Sequence, residues 1–261
     1  MKKYKLTIEY EGTRYSGWQL QKNSKSVQGA IASAVENIIK TSKFELMGAG
    51  RTDKGVHALQ QVAHLTIDKY FKPQNLRYAL NDLLPYDINI LNVEETDLKF
   101  HARHDAISRS YIYQITNERT AFLKPFVWWV KDELNYDKII DTAKVFIGMH
   151  DFRNFAKLED KGVSPKVLVE DIQTAFNNGL FVIRIVASHF LWNMVRRIVG
   201  TLVEVGRGNL SKNEIINYLE NKKKIEQIYT APPSGLFLEK IIYDKKEKIP
   251  PLQPAILRRL Y

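Results

Sequence analysis

The sequence predicts an α+β protein built from two similar units. Segments in which every second residue is apolar, typical of strands, alternate with segments in which apolar residues recur every three to four positions, typical of helices. The order of these segments in the first half, β-α-β-β-α-β, recurs in the second half, and this is the ferredoxin-like order. Two such units predict one broad, mainly antiparallel sheet with helices on one face, and the open face or the cleft between the units is then available for a ligand.

The first half begins with a strand over residues 4–10, in which Tyr4, Leu6, Ile8 and Tyr10 share a face. Ser26 is the expected N-cap of the following helix because its hydroxyl can accept a hydrogen bond from a free helical amide. The remaining segments, in order, are a helix over 27–39, strands over 44–47 and 62–67, a helix from Pro73 and a strand over 88–93.

The second half begins with a strand over residues 111–115, and Asp137 is expected to cap the next helix. Asn177, Asn178 and Gly179 are expected to form a hairpin turn. The other segments are a helix ending at Gly148, strands near 171–175 and 181–187, a helix over 190–205, a helix capped by Ser211 and Glu214, and a strand over 236–243. The polar stretch Phe100–Asp105 marks the expected join, which gives domains 1–104 and 105–261.

Composition narrows the class of protein. The 261 residues carry a formal net charge of +10, and a basic balance favours an anionic partner, most often a nucleic acid. The absence of cysteine excludes disulfides, thiolate zinc sites and a cysteine nucleophile. No apolar run is long enough for a signal peptide or a membrane span, so we expect a cytoplasmic protein without a membrane partner.

A dense polar loop at Gly48–His57 is the main candidate for chemistry. Asp53 lies between Arg51 and Lys54, and these cations are expected to hold its carboxylate ionised, as a carboxylate nucleophile requires. The string is not a phosphate-binding loop, because Lys54 precedes Gly55 and the anchoring hydroxyl is missing. A surface loop with a salt bridge is the alternative interpretation.

Two further candidates lie in the second half. Arg196 stands on an otherwise apolar helix and is expected to need an anionic partner, for which Asp53 is a candidate, whereas Arg197 is interpreted as a surface arginine. Gly200, one turn beyond Arg196, leaves room for a close approach. Tyr111 could stack on an unpaired base from an open sheet face.

These residues together resemble the tRNA pseudouridine synthase A (TruA) family. The matching motifs follow the family order over nearly the whole chain: Gly12–Gln19, Gly50–Ala58, Ser108–Tyr111, Gly148–Phe152, Phe190–Gly200 and Ala231–Leu236. The string from Arg51 to Ala58 is highly specific. Trp192 is a departure, since the family more often has Tyr or His there.

The resemblance implies conversion of uridine to pseudouridine at tRNA positions 38, 39 and 40, in the anticodon stem-loop. It implies that Asp53 is the nucleophile, leaving open attack on the sugar, attack on the base or abstraction of a sugar proton. Arg196 resembles the basic partner of that carboxylate. Tyr111 resembles the aromatic residue that stacks on the target base and assists proton transfer.

The resemblance also implies the surroundings of the reaction. Arg51 would help to displace the target base from its stack, Leu236 would form part of the pocket wall, and Gly235, Lys54 and His57 are expected substrate-binding residues. The family is homodimeric, with tRNA bound across both subunits. No metal is required, because the reaction is neither redox nor hydrolytic, and no cofactor or other protein partner is implied.

Two other functions fit parts of the sequence. A non-catalytic RNA-binding protein would share the sheet, the charge and the tyrosines, but would gain nothing from Asp53 near phosphates. A metal-dependent nuclease would use Asp53 and His57 as ligands, although no second carboxylate or cysteine cluster lies beside them.

Overall fold

The computed structural model describes residues 1–158, 162 and 164–256. They form two compact units, one made of Met1–Ile107 with Phe237–Glu247 and the other of Ser108–Leu236 with the described residues from Lys248 onward. The described residues contain ten strands and five α-helices, and most strand pairs are antiparallel, which confirms the α+β class. None of the helices among these residues combines the length and apolarity that crossing a membrane requires.

The first unit has the element order that its sequence predicts. The elements are β1 (Lys2–Tyr10), α1 (Val27–Ile39), β2 (Glu45–Gly48), β3 (His57–Ile67), α2 (Pro73–Leu83) and β4 (Ile88–Thr96). β1 pairs with both β3 and β4, β2 pairs with β3, and all three pairings are antiparallel. Tyr4, Leu6, Ile8 and Tyr10 are buried together, and Ser26 caps α1 by accepting a hydrogen bond from the Gly29 amide, as predicted.

The second unit departs further from its prediction. Its elements are β5 (Ser108–Thr116), β6 (Trp128–Trp129), α3 (Tyr136–Ala143), β7 (Gly148–Asp151), β8 (Lys166–Asn177), β9 (Leu180–Ala187), α4 (Met194–Gly206) and α5 (Lys212–Leu219). β7, β8, β9 and β5 pair in that order, all antiparallel, and β6 adds in parallel to β5. The predicted turn joins β8 to β9, with Asn178 and Gly179 both at positive φ.

Three details of the second unit correct the sequence interpretation. β6 and β7 are short strands that apolar alternation did not reveal. Asn135 rather than Asp137 caps α3, because its side chain accepts a hydrogen bond from the Lys138 amide. α4 begins at Met194 rather than Phe190, since Asn193 lies in the left-handed region at φ 62° and the helix cannot extend back through it.

The last strand, β10 (Leu236–Ile242), was expected to complete the second domain. From Phe237 onward it instead belongs to the first unit, where it pairs in parallel with β3. The Phe237 ring also stacks on His57 with a centroid separation of 4.7 Å. The compact units therefore differ from the division 1–104 and 105–261, whereas the ferredoxin-like assignment and the shared sheet with its cleft stay predictions.

Candidate active site

The loop that carries Asp53 joins β2 to β3 in the first unit, and β3 begins at His57 rather than at residue 62, where the sequence predicted the strand. Asp53 is half-buried, and the chain turns sharply just after it. The Val56 amide donates to the Asp53 carbonyl at 3.1 Å, and Gly55 adopts a φ of 78°, which favours glycine. The turn presents the carboxylate from a short, closed stretch of backbone.

A second loop, Gly12–Gln19, packs against the Asp53 loop, and we call it the aromatic loop. The Trp18 amide donates to the Thr52 carbonyl at 3.1 Å, and the Gly55 amide donates to the Tyr15 carbonyl at 3.3 Å. These bonds hold the backbone on both sides of Asp53. The aromatic loop therefore supports the backbone that carries Asp53, a role that its composition did not indicate.

Two glycines allow the aromatic loop to approach so closely. A Cβ atom on Gly12 would lie 1.9 Å from the Val56 carbonyl oxygen, and one on Gly17 would lie 2.3 Å from that of Thr52. Gly17 also has a φ of 103°, a backbone conformation that residues with a side chain rarely adopt. Because both obstacles are backbone atoms, a larger residue at either position would force the loops apart.

Buried polar side chains of β1 and β3 also support the Asp53 loop. The Tyr10 hydroxyl and the Thr52 hydroxyl are hydrogen-bonded at 2.8 Å, and the Gln61 amide donates to the Gly50 carbonyl at 3.0 Å. Burial raises the pKa of Tyr10 far above its ordinary value, so the phenol stays protonated. These contacts fix the backbone on the N-terminal side of Asp53.

The three other polar residues of the loop differ in position. Arg51 and Lys54 are exposed, and neither side chain makes an ion pair or hydrogen bond with a described residue, so the expected direct pairing with Asp53 is absent within the described chain. His57 is only 1% exposed. Its Nδ1 accepts a hydrogen bond from the Gly12 amide at 3.0 Å, which occupies that nitrogen and argues against the metal-site alternative.

Arg196 lies on the first turn of α4 in the second unit, and its guanidinium is held by neighbours within that unit. Nε donates to the Ala231 carbonyl at 2.7 Å and a terminal nitrogen donates to the Asn193 side-chain oxygen at 3.0 Å. In return the Ala231 amide donates to the Arg196 carbonyl at 2.9 Å. The guanidinium orientation is therefore fixed by the protein.

Gly200 explains how residues 229–231 reach α4. A Cβ atom there would lie 2.6 Å from the Tyr229 carbonyl oxygen. The close approach that the sequence indicated is thus made by the chain itself. Arg197, interpreted as a surface arginine, is half-buried: it donates to the Ala156 carbonyl at 2.6 Å, and burial lowers its pKa.

Tyr111 lies on β5 with 8% of its surface exposed, and its ring meets Phe190 edge to face at 4.9 Å. Tyr113, on the same strand, is fully buried and donates its hydroxyl to the Pro232 carbonyl at 2.7 Å. Gly235 is packed against Tyr113, because a Cβ atom would lie 2.7 Å from that ring. Leu236 is buried as well.

Comparison with known proteins agrees with these features. A family model described as tRNA pseudouridine synthase matches residues 6–105 and 142–244. A tRNA pseudouridine synthase A 2 of Bacillus cereus is 39% identical over 244 residues, covering 92% of this chain and 99% of that protein. A tRNA pseudouridine synthase A of a Thermoanaerobacter species is 38% identical over 245 residues, covering 93% of this chain and 100% of that protein.

Among solved structures, a Cbf5-Nop10-Gar1 complex aligns over 76% of this chain and 54% of its own, with 10% identity and a TM-score of 0.34. These sequence matches show that this protein is an isomerase that acts on tRNA. The chain belongs to the tRNA pseudouridine synthase A family, since the family model matches most of it and the relatives are similar over nearly their full length.

Proposed function

We propose that this enzyme converts uridine to pseudouridine at tRNA positions 38, 39 and 40, in the anticodon stem-loop, with Asp53 as the nucleophile. The observation that carries the proposal is that Asp53 is half-buried on a loop whose backbone is hydrogen-bonded on both sides of it. A partly accessible carboxylate on a held backbone can meet a reacting atom without a prior rearrangement of the chain. Family membership supplies the reaction class.

The reaction is an isomerisation and balances without a co-reactant. The bond from the sugar carbon C1′ to N1 of uracil breaks, the base turns, and C1′ joins carbon 5, which releases a proton while N1 gains one. Asp53 would act on the sugar or on the base at the first of these steps. A uridine within a stem must first leave its stack, which costs a few kcal/mol.

Residues of the second unit are proposed to assist. Arg196 would be the basic partner of Asp53, and its bonds to Ala231 and Asn193 support this role because they hold the guanidinium in one orientation. Tyr111 would stack on the target base and assist proton transfer, and its packing on Phe190 fixes the ring plane. Arginine is suited to a fixed ionic contact because its planar guanidinium is charged and also directs its N–H donors in a fixed geometry.

The remaining substrate contacts follow the resemblance. Arg51 would help to displace the base and Lys54 would contact the RNA, and both have exposed side chains that make no bond with a described residue. Gly235, Leu236 and His57 are buried, so their proposed contribution is to the pocket wall and the loop backbone. A role for His57 in holding Gly12 is what its hydrogen bond supports.

The test is to incubate the purified protein with an unmodified tRNA transcript and to map pseudouridine by carbodiimide-stop sequencing. We expect stops at positions 38, 39 or 40 wherever the transcript has uridine there, in the presence of excess chelator and without cleavage of the RNA. Modification confined to another part of the tRNA would overturn the site assignment. Cleaved RNA, or activity lost to the chelator, would favour the nuclease.

We also propose that the enzyme works in the cytoplasm, where tRNA is modified, as a homodimer with tRNA bound across both subunits. Light scattering during size-exclusion chromatography gives the mass directly. A particle of about twice the 30.3 kDa chain mass is expected, and a purely monomeric yet active protein would contradict the dimer.

A further inference from the structure

A buried carboxylate outside the candidate residues, Asp87, lies one residue before β4 in the first unit. Its side chain is only 1% exposed, and an ionised carboxylate in such a place is costly unless it is paired. It is paired: Oδ2 accepts from Arg14 Nε at 2.8 Å and from a terminal nitrogen of Arg14 at 2.6 Å. Oδ1 accepts from the Tyr15 hydroxyl at 2.6 Å.

Both donors belong to the aromatic loop. The Asp87 carbonyl also accepts a hydrogen bond from the Glu11 amide at 2.9 Å, just before this loop begins. Burial, together with the bond to Asp87, raises the pKa of Tyr15 well above its ordinary value, so the phenol remains a donor. Asp87 therefore anchors the start of the aromatic loop through its backbone and both carboxylate oxygens.

Of the anchored residues, Tyr15 touches the Asp53 loop, as does Gly12, which directly follows the anchored Glu11. The Tyr15 carbonyl accepts from the Gly55 amide, two residues beyond Asp53. The Gly12 amide donates to His57 at the end of the same loop. A continuous path of hydrogen bonds thus runs from Asp87 through Tyr15 to the turn that presents Asp53.

We propose that Asp87 is a positioning residue for the isomerisation: by fixing Arg14 and Tyr15 it sets the backbone from which Asp53 acts. The proposal rests on the role of Asp53 proposed above. Misplacement of a reacting group by about 1 Å can cost roughly 100-fold in rate. Loss of the anchor should therefore lower kcat, whereas the affinity for tRNA, which depends on many phosphate contacts, should change little.

The test compares two variants that cut the path at successive points. Asp87→Asn removes the charge that Arg14 requires, and Tyr15→Phe removes only a buried hydroxyl that RNA cannot reach. We expect kcat to fall roughly 10- to 100-fold in each, with KM for tRNA within about twofold of wild type. The double variant should be no slower than the slower single variant, because both act through one loop.

Asp141→Asn is the matched control, since it removes an exposed carboxylate that pairs with Lys212 in the other unit. It should have the wild-type kcat. Amide hydrogen exchange gives an independent readout: protection over residues 49–56 should drop in both path variants, while the β8–β9 hairpin should keep its protection. Rates are compared well below the unfolding midpoint of each protein, and Tyr15→Phe decides alone if Asp87→Asn does not fold.

A folded path variant with wild-type kcat, a loss confined to KM, or slow turnover with unchanged exchange over 49–56 would each overturn the proposal. The failure of the two proposals can be told apart. If Asp53→Asn still makes pseudouridine, the proposed nucleophile is wrong whatever Asp87 does. If Asp53→Asn is inactive while both path variants keep full activity, only the positioning role fails.

Discussion

In the first unit the candidate carboxylate lies on a loop whose backbone is held by backbone groups of a second loop, whereas in the second unit the candidate guanidinium lies on a helix and is held through its own side-chain bonds. Trp18, Tyr15 and Gly55 contribute amides and carbonyls to the first arrangement. Arg196 contributes its own nitrogens to the second. The position of Asp53 should therefore be sensitive to residues that have no chemistry of their own, and that of Arg196 to the shape of one side chain.

Among changes outside the proposed nucleophile, the largest expected effect comes from Gly17→Ala. The new Cβ atom would meet the Thr52 carbonyl oxygen at 2.3 Å, on a residue whose φ is already 103°, so the two loops must separate. We expect a loss of about 3 kcal/mol in the free energy of unfolding and at least a 100-fold lower kcat. Urea unfolding and initial rates measure the two quantities.

Gly50→Ala is the matched control for stability, because a Cβ atom on Gly50, within the Asp53 loop, would meet nothing within 4 Å. Its unfolding free energy should lie within about 0.5 kcal/mol of wild type. A Gly17→Ala protein as stable and active as wild type would show that the aromatic loop does not hold Asp53.

A smaller effect is expected from Arg196→Lys. Lysine keeps the charge but cannot reproduce the fork that binds Ala231 and Asn193 at once. We expect kcat to fall about 10- to 100-fold, with a loss of about 1 kcal/mol in stability. The measurement is single-turnover pseudouridine formation beside urea unfolding.

Arg119→Lys is the matched control, because Arg119 is an exposed arginine of the same unit. It should leave kcat and the free energy of unfolding unchanged. An Arg196→Lys enzyme with the wild-type rate would show that charge alone suffices at this position. The side-chain bonds that orient the Arg196 guanidinium would then have no effect on the reaction.

The sequence predicted the first unit more fully than the second, and particular residues show why. The start of the Asp53 loop was predicted because β2 lies where the sequence places it, whereas β3 begins five residues earlier than predicted, since its first residues do not alternate. Ser26 and Ser211 cap their helices through local bonds. β6 has only two residues, β7 (Gly148–Asp151) carries no alternation of apolar residues, and the start of α4 depends on the backbone of Asn193. Local patterns thus predicted local structure.

The support of the candidate site could not be read from local patterns. The aromatic loop and the Asp53 loop are about 40 residues apart and meet through backbone groups, which every residue type shares. The recurrence of glycine at positions 12 and 17 was the available signal. Asp87 gave none, because a buried carboxylate and an exposed one look alike in a sequence.

The most direct test of the central claim measures tRNA binding and single-turnover pseudouridine formation by Asp53→Asn and Asp53→Ala. Asp82→Asn is the control, since it removes an exposed carboxylate from the same unit. We expect both Asp53 variants to bind tRNA within about twofold of wild type and to form no pseudouridine, with Asp82→Asn fully active. Product formed by either Asp53 variant at a rate near that of wild type would contradict the account.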